Sequence, residues 1–547
     1  MKNLLCIVLI ATLCFALFGC GEKKDLSSKY ALDEARNEAI IDDAGTITAS
    51  NDGNARVYYH IFVGSFSDSN GDGIGDLRGI INRFDYLNDG DPNSGLSLGV
   101  EGIWLSPIFS SPSYHKYDTT NYYKIDPQFG TMEDLQELIH LCHERGVQII
   151  LDLVINHTSP SNAWFQKFVA AHREYDFNNE YYDFYTWTND TSVDNVAWHS
   201  ISGTNEYYEG NFSGDMPELN FDSEAVRQAM VDLAKFYLDM GVDGFRFDAA
   251  KYIYYGKTTE NYDFWDWYMA QLRAIKPDIY TVAEVWDADN ATFPYFSSTN
   301  CFNFSMSQTS GQIAQATKGG NVNSLTAYVD RYLDAIHSYN ENAMMVTFIA
   351  NHDMDRAAGY LTVAGGHAKV AANLAILMPG STFIYYGEEI GMLGSRGGAN
   401  TDANRRLAML WGDEDTVKNP TGTTYKAAQA NGTVVDQLPD GDSLLSHYKK
   451  LIMIRKAHPA IAYGSFTPLN TPSKAGGFIA TLDGSSVAVL HNTTDKAVTI
   501  DLATLDTDIL FNNIAAYVGL GSASLDGSVL TIEAQTSVVL TETATNP

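Results

Sequence analysis

At 547 residues the chain is long enough for two or three domains, and a composition 45% hydrophobic and 12% aromatic is that of a globular protein with a large core. A formal net charge of -32, from 35 Lys and Arg against 67 Asp and Glu, argues against nucleic acid, because a phosphate-binding surface needs concentrated cations. An uncharged ligand or a divalent cation fits better, and 32 tyrosines and 8 tryptophans among so many acids suit carbohydrate faces, although most such rings fill core.

The N-terminus, MKNLLCIVLIATLCFALFGC, has a lysine near its start and an apolar run from Leu4 to Phe18, short for a transmembrane helix and suited to an export signal over residues 1–19. LFGC resembles a bacterial lipobox, with Phe18 where Ala or Ser is more usual, which implies lipidation of Cys20. A plain secretory signal cut nearby is the alternative. Under either reading the polar segment 20–53 is a spacer, and the expected location is extracytoplasmic, with the lipoprotein reading holding the chain to a bacterial membrane at the cell surface or on the periplasmic face. Cys142 and Cys301 are the only mature thiols besides Cys20, too few for a disulfide framework.

Next comes SFSDSNGDGIGDLRGI, in which Asp68, Asn70, Asp72 and Asp76 alternate with other residues in a Gly-rich loop, a pattern suited to a hard cation, most simply Ca2+. The first six residues from Asp68 match the opening of an EF-hand. Its twelfth position, which needs a bidentate glutamate, is Gly79, and the flanking RVYYHIFVGSF reads as a strand, so the EF-hand reading fails. An empty turn held by Asx hydrogen bonds competes with the calcium reading.

From Arg56 onward short β-rich runs alternate with helical segments. Eight such runs, from RVYYHIFVGSF through VEGIWLSPIF, VQIILDLVINH, VDGFRFDAAKY, IYTVAEVW, CFNFSM and AMMVTFIANHD to TFIYYGEEIGM, predict an α/β fold, a (β/α)8 TIM barrel over residues 54–157 and 216–455. No Gly-x-Gly-x-x-Gly follows the first strand, which disfavours an open dinucleotide-binding sheet. DSEAVRQAMVDLAKFYLDM predicts an outer helix with Val226, Met230, Leu233 and Leu238 on one face. The 58 residues between His157 and Met216 exceed any ordinary strand-to-helix loop and predict a small inserted domain, 158–215. After about Lys456, runs such as GGFIATL, SSVAVLHNT and SVLTIEAQTSVVLTE alternate with turn signals and predict a C-terminal antiparallel β-sandwich, 456–547.

In a TIM barrel the reacting groups lie at the C-terminal ends of strands. Four runs close on acids or imidazoles: DLVINH with Asp152 and His157, GFRFDAAKY with Arg246, Asp248 and Lys251, AEVW with Glu284, and ANHD with His352 and Asp353. One buried acid at a strand end is usually a salt-bridge partner, but three acids converging on one mouth make a catalytic candidate.

These segments, in this order, resemble the signature regions of glycoside hydrolase family 13, the α-amylase family, and the resemblance extends from about Arg56 to the C-terminus. It implies that Asp248 is the nucleophile, Glu284 the general acid/base and Asp353 the acid that holds sugar hydroxyls. It also implies that His157 and His352 donate to the sugar in the cleavage subsite, that Tyr117 stacks under that sugar, and that Lys251 and Tyr252 face the leaving group. Arg246, two residues before Asp248 on the same strand face, is placed to keep the nucleophile ionised. Glu284 needs a raised pKa, and the charge of Asp248 is expected to supply the push.

Many members of that family carry DxNxDGxGD after the first strand, which implies a structural Ca2+ on the side chains of Asp68, Asn70, Asp72 and Asp76 and the carbonyl of Ile74. Asn156 resembles a ligand of a second calcium in those enzymes, a site that Tyr252, standing where many have His, leaves open. MPELN, Met216 to Asn220, resembles the mark of neopullulanase-like members, and Ala249 behind the nucleophile points to α-1,4 bonds. The expected function is therefore retaining hydrolysis of α-1,4-glucosidic bonds in starch and maltooligosaccharides. An oligosaccharide α-glucosidase or transglycosylase of the same fold is the alternative, followed by a non-catalytic glucan-binding lipoprotein. Oligomeric state leaves no mark in the sequence.

Overall fold

The computed structural model describes residues 46–47, 53–193, 196–472 and 474–542. The export signal, Cys20 and nearly all of the 20–53 spacer lie outside the described residues. Among the described residues no helix is long and apolar enough to cross a membrane.

Each of the eight β-rich runs overlaps one barrel strand: β1 Val57–Ile61, β2 Gly102–Leu105, β3 Gln148–Leu153, β4 Gly244–Phe247, β5 Tyr280–Ala283, β6 Asn300–Cys301, β7 Val346–Phe348 and β8 Ser381–Tyr385. They form one parallel sheet in the order β6-β5-β4-β3-β2-β1-β8-β7, and a parallel bridge between Phe302 and Val346 joins its two ends into a barrel. Almost every strand position is buried, as it must be where side chains fill one face and helices cover the other. The floor is aromatic: Tyr58 stacks on Phe383 and Tyr280 at 4.7 and 4.8 Å. Gly102 is required beside it, since a Cβ there would lie 2.3 Å from the Tyr58 ring.

The expected outer helix runs Glu224–Met240 and buries Val226, Met230, Leu233 and Leu238. It stops at Gly241, whose φ of 110° suits glycine. Between β3 and that helix, the chain folds a helix, Ala163–Glu174, and a three-stranded antiparallel sheet of Trp187–Thr188, Trp198–Ser200 and Tyr207–Glu209. Bridges from His157 to Glu218 and from Tyr185 to Leu219 hold this insertion to the barrel rim.

Two antiparallel sheets, of five and three strands, close the chain around their own apolar cluster, which includes Leu469, Ile479, Leu490, Ile500, Leu530 and Val538. The first of these strands starts at Ser465, later than Lys456. Lys456 still belongs to the helix Leu444–Ala457, which stops just before Pro459 because the residue ahead of a proline disfavours helical backbone. Cys142 and Cys301 are free, buried thiols.

Candidate active site

A cavity of about 880 Å³ opens at the C-terminal ends of the strands, and Tyr117, His157, Asp248, Lys251, Tyr252, Glu284 and Asp353 line it. Topology explains the convergence. Asp248 follows β4 directly, Glu284 follows β5 directly, and the loops after β2, β3 and β7 carry Tyr117, His157 and Asp353. Arg246 and His352, each 1% exposed, stand behind this wall.

Arg246 is in register with Asp152 of β3, so their side chains meet inside the barrel. One guanidinium nitrogen donates to Asp152 Oδ1 and Asp248 Oδ1, both at 2.7 Å, and the other lies 3.0 Å from Glu284 Oε2. A single cation thus spans the proposed nucleophile and the proposed acid. Burial pushes the Glu284 carboxyl up to about 7, against the pull of Arg246 and with added push from Asp248 and Asp353. The expectation that Asp248 supplies the main push is corrected: desolvation leads, because the carboxyl sits in a low-dielectric wall. Asp152 is also pushed up to about 7 by burial. The Ala249 amide donates to Glu284 Oε2 at 3.1 Å from a backbone with φ of 49°, a left-handed conformation beside Asp248.

Asp353 is governed differently. Burial would raise its carboxyl, but the His352 imidazole and the Arg406 guanidinium overcome this and hold it well below the usual range. Arg406 donates to Asp353 Oδ1 at 2.7 Å and to the His352 carbonyl at 3.1 Å, and its own carbonyl accepts from Ser65 Oγ at 2.7 Å. His352 Nε2 is 2.7 Å from the Tyr117 hydroxyl and 3.0 Å from Asp353 Oδ2, and its ring is parallel to Tyr117. Burial lowers both imidazoles, His157 and His352, below their ordinary pKa. His157 Nε2 is buried without a hydrogen-bond partner, which leaves it for a ligand hydroxyl.

Sequence reasoning missed Arg406, Tyr114, Phe212 and Trp286, which also line the cavity. Trp286 stands two residues after Glu284 and was there to be found; Arg406 and Phe212 lie in long connections with no periodic signal.

In the loop after β1 the donor set is all oxygen and fits a hard cation in kind. Each acid already accepts main-chain hydrogen bonds: Asp68 from the amides of Asn70, Gly71 and Gly73, Asp72 from Ile74, and Asp76 from Ser69 and Gly79. A calcium ion held by Asp68, Asn70, Asp72, Asp76 and the Ile74 carbonyl would have to share these oxygens with the amides. Gly79 packs so closely on the Ser67 carbonyl, 2.0 Å from where a Cβ would sit, that no EF-hand glutamate could stand there. Asn156 is buried beside His157 and hydrogen-bonds Glu218, whose carboxyl burial and neighbouring Glu209 push up to about 8. Among the described residues no group of three or more His, Cys, Asp or Glu gathers as metal ligands.

Residues 60–464 match the sequence profile of the alpha amylase catalytic domain. The chain is 34% identical over 442 residues to alpha-amylase 3 of Dictyoglomus thermophilum, covering 80% of this chain and 84% of that one. It is 31% identical over 459 residues to a 4-alpha-glucanotransferase of Thermotoga maritima, covering 81% and 97%. The solved structure of Eubacterium rectale Amy13B superposes with a TM-score of 0.82 at 32% identity, covering 95% of this chain and 99% of that one.

Proposed function

The chain belongs to the alpha-amylase family, glycoside hydrolase family 13, as an α-amylase-type glycosidase, and on that premise we propose that it cleaves α-1,4-glucosidic bonds of starch-like glucans and maltooligosaccharides with retention of configuration. The observation that carries the reading is the Arg246 fork, which holds Asp248 and Glu284 on one cation while burial keeps Glu284 protonated to about 7. Asp248 attacks the anomeric carbon and forms a glycosyl ester as Glu284 gives its proton to the leaving oxygen. Glu284, now a carboxylate, takes a proton from water, which attacks the same carbon and frees Asp248. Asp353, held as an anion by His352 and Arg406, accepts from ring hydroxyls, and Tyr117 offers its face to the sugar.

Initial rates on maltotriose and isomaltotriose, with product profiles on amylose and pullulan and the first-formed anomer by NMR, test this. Faster cleavage of maltotriose and a retained anomer are expected. Equal rates on the two trisaccharides favour the α-glucosidase reading, and transfer products favour the transglycosylase one, which the likeness to a 4-alpha-glucanotransferase keeps in view. The three carboxylates together disfavour a non-catalytic glucan binder. Ala249 lines the cavity, and its small side chain leaves room for the α-1,4 acceptor. Ala249→Val should shift the linkage ratio by roughly 10- to 200-fold at most. Its φ of 49° adds backbone strain for a β-branched residue, so Ala249→Gly, which tolerates that φ, is the control.

Two further parts of the proposal rest on sequence. The oxygen-rich loop after β1 binds a structural Ca2+ that takes no part in the chemistry. Cys20 carries the lipid that anchors the enzyme on the extracytoplasmic side, so Cys20→Ser should move the protein from the membrane fraction to the soluble one without changing its activity; a Ser variant still embedded in membrane would refute the anchor.

A further inference from the structure

A second cavity, of about 740 Å³, lies at the other end of the barrel. Arg56 and Glu101 in its wall stand one residue ahead of β1 and β2, and Gly146 stands two ahead of β3, so it opens at the N-terminal ends of the strands, opposite the catalytic mouth. Four cations line it, Arg56, Arg145, Arg455 and Lys456, against two acids, Glu101 and Asp483. In a chain of net charge -32 this surplus reverses the prevailing sign. It also reverses the catalytic end, where one guanidinium serves three acids.

Carboxylates do not account for these cations. Arg455, 2% exposed, donates to the carbonyls of Ile376, Met378 and Gly380, and its Nε is buried without a hydrogen-bond partner. Lys456 Nζ donates to the Gly99 carbonyl at 3.2 Å and forms no ion pair among the described residues. Arg145 is different, since Asp85 holds it at 2.5 Å. Burial lowers Arg455 to about 10 and lowers Lys456 as well, against the attraction of Glu101 for both and of Asp89 for Lys456. Buried cations that the neighbouring acids leave uncompensated create a positive potential, which an added anion relieves. The wall also has apolar surface, from Ile47, Pro92, Pro459 and the ring of Tyr463, which is 37% exposed. The volume holds a phosphate with a sugar-sized body attached.

We propose that this cavity binds a phosphate ester, with the phosphate drawn to Lys456 and the neighbouring guanidinium groups and the organic part set against Tyr463. An ammonium and a guanidinium both donate charge-assisted hydrogen bonds to phosphate oxygens. The ligand is a free sugar phosphate or the headgroup of an anionic phospholipid, which share this chemistry. The site stands apart from glycoside cleavage and holds whether or not the α-1,4 reading does.

Two arms test it at fixed ionic strength: calorimetric titration of the full-length chain with glucose 6-phosphate, and co-sedimentation of the full-length Cys20→Ser chain with vesicles of phosphatidylglycerol or of phosphatidylcholine. Each is run with Lys456→Gln and Asp483→Asn. Lys456→Gln should weaken binding by about tenfold or more, the scale of one lost charge-assisted hydrogen bond. Asp483→Asn removes one of the two acids and should tighten binding severalfold. Asparagine tolerates the φ of 51° at that position, and a folding defect cannot imitate a gain in affinity. Initial rates on maltotriose should stay at the wild-type level in both variants. Glucose 6-phosphate binding that the two variants shift in these opposite directions supports the proposal with a free sugar phosphate as ligand. Capture by phosphatidylglycerol but not phosphatidylcholine vesicles, shifted in the same way, supports it with a lipid headgroup as ligand. Binding of neither probe, or binding that both variants leave unchanged, overturns it.

Discussion

Asp152, Asp248 and Glu284 around Arg246, and Asp68, Asp72 and Asp76 in the loop after β1, are two groups of carboxylates whose leading members, Glu284 and Asp68, shift in opposite directions. In the first, one guanidinium serves three buried acids, and burial pushes Glu284 and Asp152 up to about 7. In the second, burial also pushes Asp68 up, but the Thr416 hydroxyl and the amides of Gly73, Gly71 and Asn70 overcome it and hold the carboxyl below its ordinary value. Main-chain amides are fixed donors that need no counter-titration, and at Asp68, with the Thr416 hydroxyl, they outweigh burial and hold the charge, whereas at Asp76 burial outweighs the amides of Gly79 and Ser69 and pushes the carboxyl up. A shared side-chain cation in a low-dielectric wall leaves a proton that can leave and return near neutrality. The first arrangement suits acid–base chemistry and the second suits a scaffold.

The largest test of this contrast removes an acid from each group. Asp248→Asn should lower kcat on α-glucan by on the order of 10⁴-fold or more. Glu284→Gln should nearly stop starch hydrolysis while leaving faster turnover of α-glucosyl fluoride, whose leaving group needs little protonation. Asp72→Asn should leave kcat near wild type at low temperature. Comparable kcat losses at Asp248 and Asp72 would erase the distinction.

Arg406 offers a second test, because it reaches both regions: its side chain clamps Asp353, and its carbonyl accepts from Ser65, three residues before Asp68. Arg406→Gln should cost about 10²-fold in kcat/KM, the scale of a misplaced active-site group. The sign of the pH effect is set by Asp353. Its carboxyl is held low and is active as an anion, so loss of Arg406 raises its pKa and the acid limb of the pH profile should move upward. A variant that loses activity with an unmoved acid limb would show that Arg406 positions Asp353 without tuning it.

The basic limb of the wild type is a smaller and separate effect. Glu284 must be protonated for the first step, and its carboxyl is raised to about 7. On that account, kcat/KM should fall as pH rises through about 7, by up to about tenfold per unit beyond it. In Glu284→Gln, assayed on α-glucosyl fluoride, this limb should vanish; if it persists, another group carries it.

The barrel and the strand ends that carry Asp248 and Glu284 were legible because periodicity marks them: every β-rich run overlaps a strand, and Asp248 and Glu284 each sit one residue past its end. The proton balance of the site was legible only in outline. Desolvation, not Asp248, leads the shift at Glu284, and burial depth is a property of packing that spacing does not carry. Arg406 was invisible for a related reason. It arrives from an irregular connection after β8, where no period of 2 or 3.6 places a side chain. Periodicity puts the start of the sandwich at about Lys456, whereas the helix runs on to Ala457 and the first sandwich strand starts at Ser465, because Lys456, one turn from a proline, sits inside the last helical turn.

The smallest predicted effect separates the two roles within the loop itself. Asp72 is exposed and gives one main-chain hydrogen bond acceptor, to the Ile74 amide at 2.7 Å, which an asparagine oxygen can replace. Asp68 accepts three amides and the Thr416 hydroxyl, and its carboxylate is held ionised by them. In a chelator, Asp72→Asn should therefore stay within about 0.5 kcal/mol of the wild type, while Asp68→Asn should be clearly less stable, because an amide nitrogen cannot accept where the carboxylate oxygen did. In calcium, an ion bound only to the folded chain raises Tm by mass action, and that increment should shrink in both variants. Because Asp68 is held below its unfolded value, its contribution is present at neutral pH and is lost as pH falls through the folded pKa, so the Tm gap between the wild type and Asp68→Asn should close in acid. Identical melting curves for the wild type with calcium and with chelator, after metal stripping, would leave the loop closed on its own amides with no ion to add.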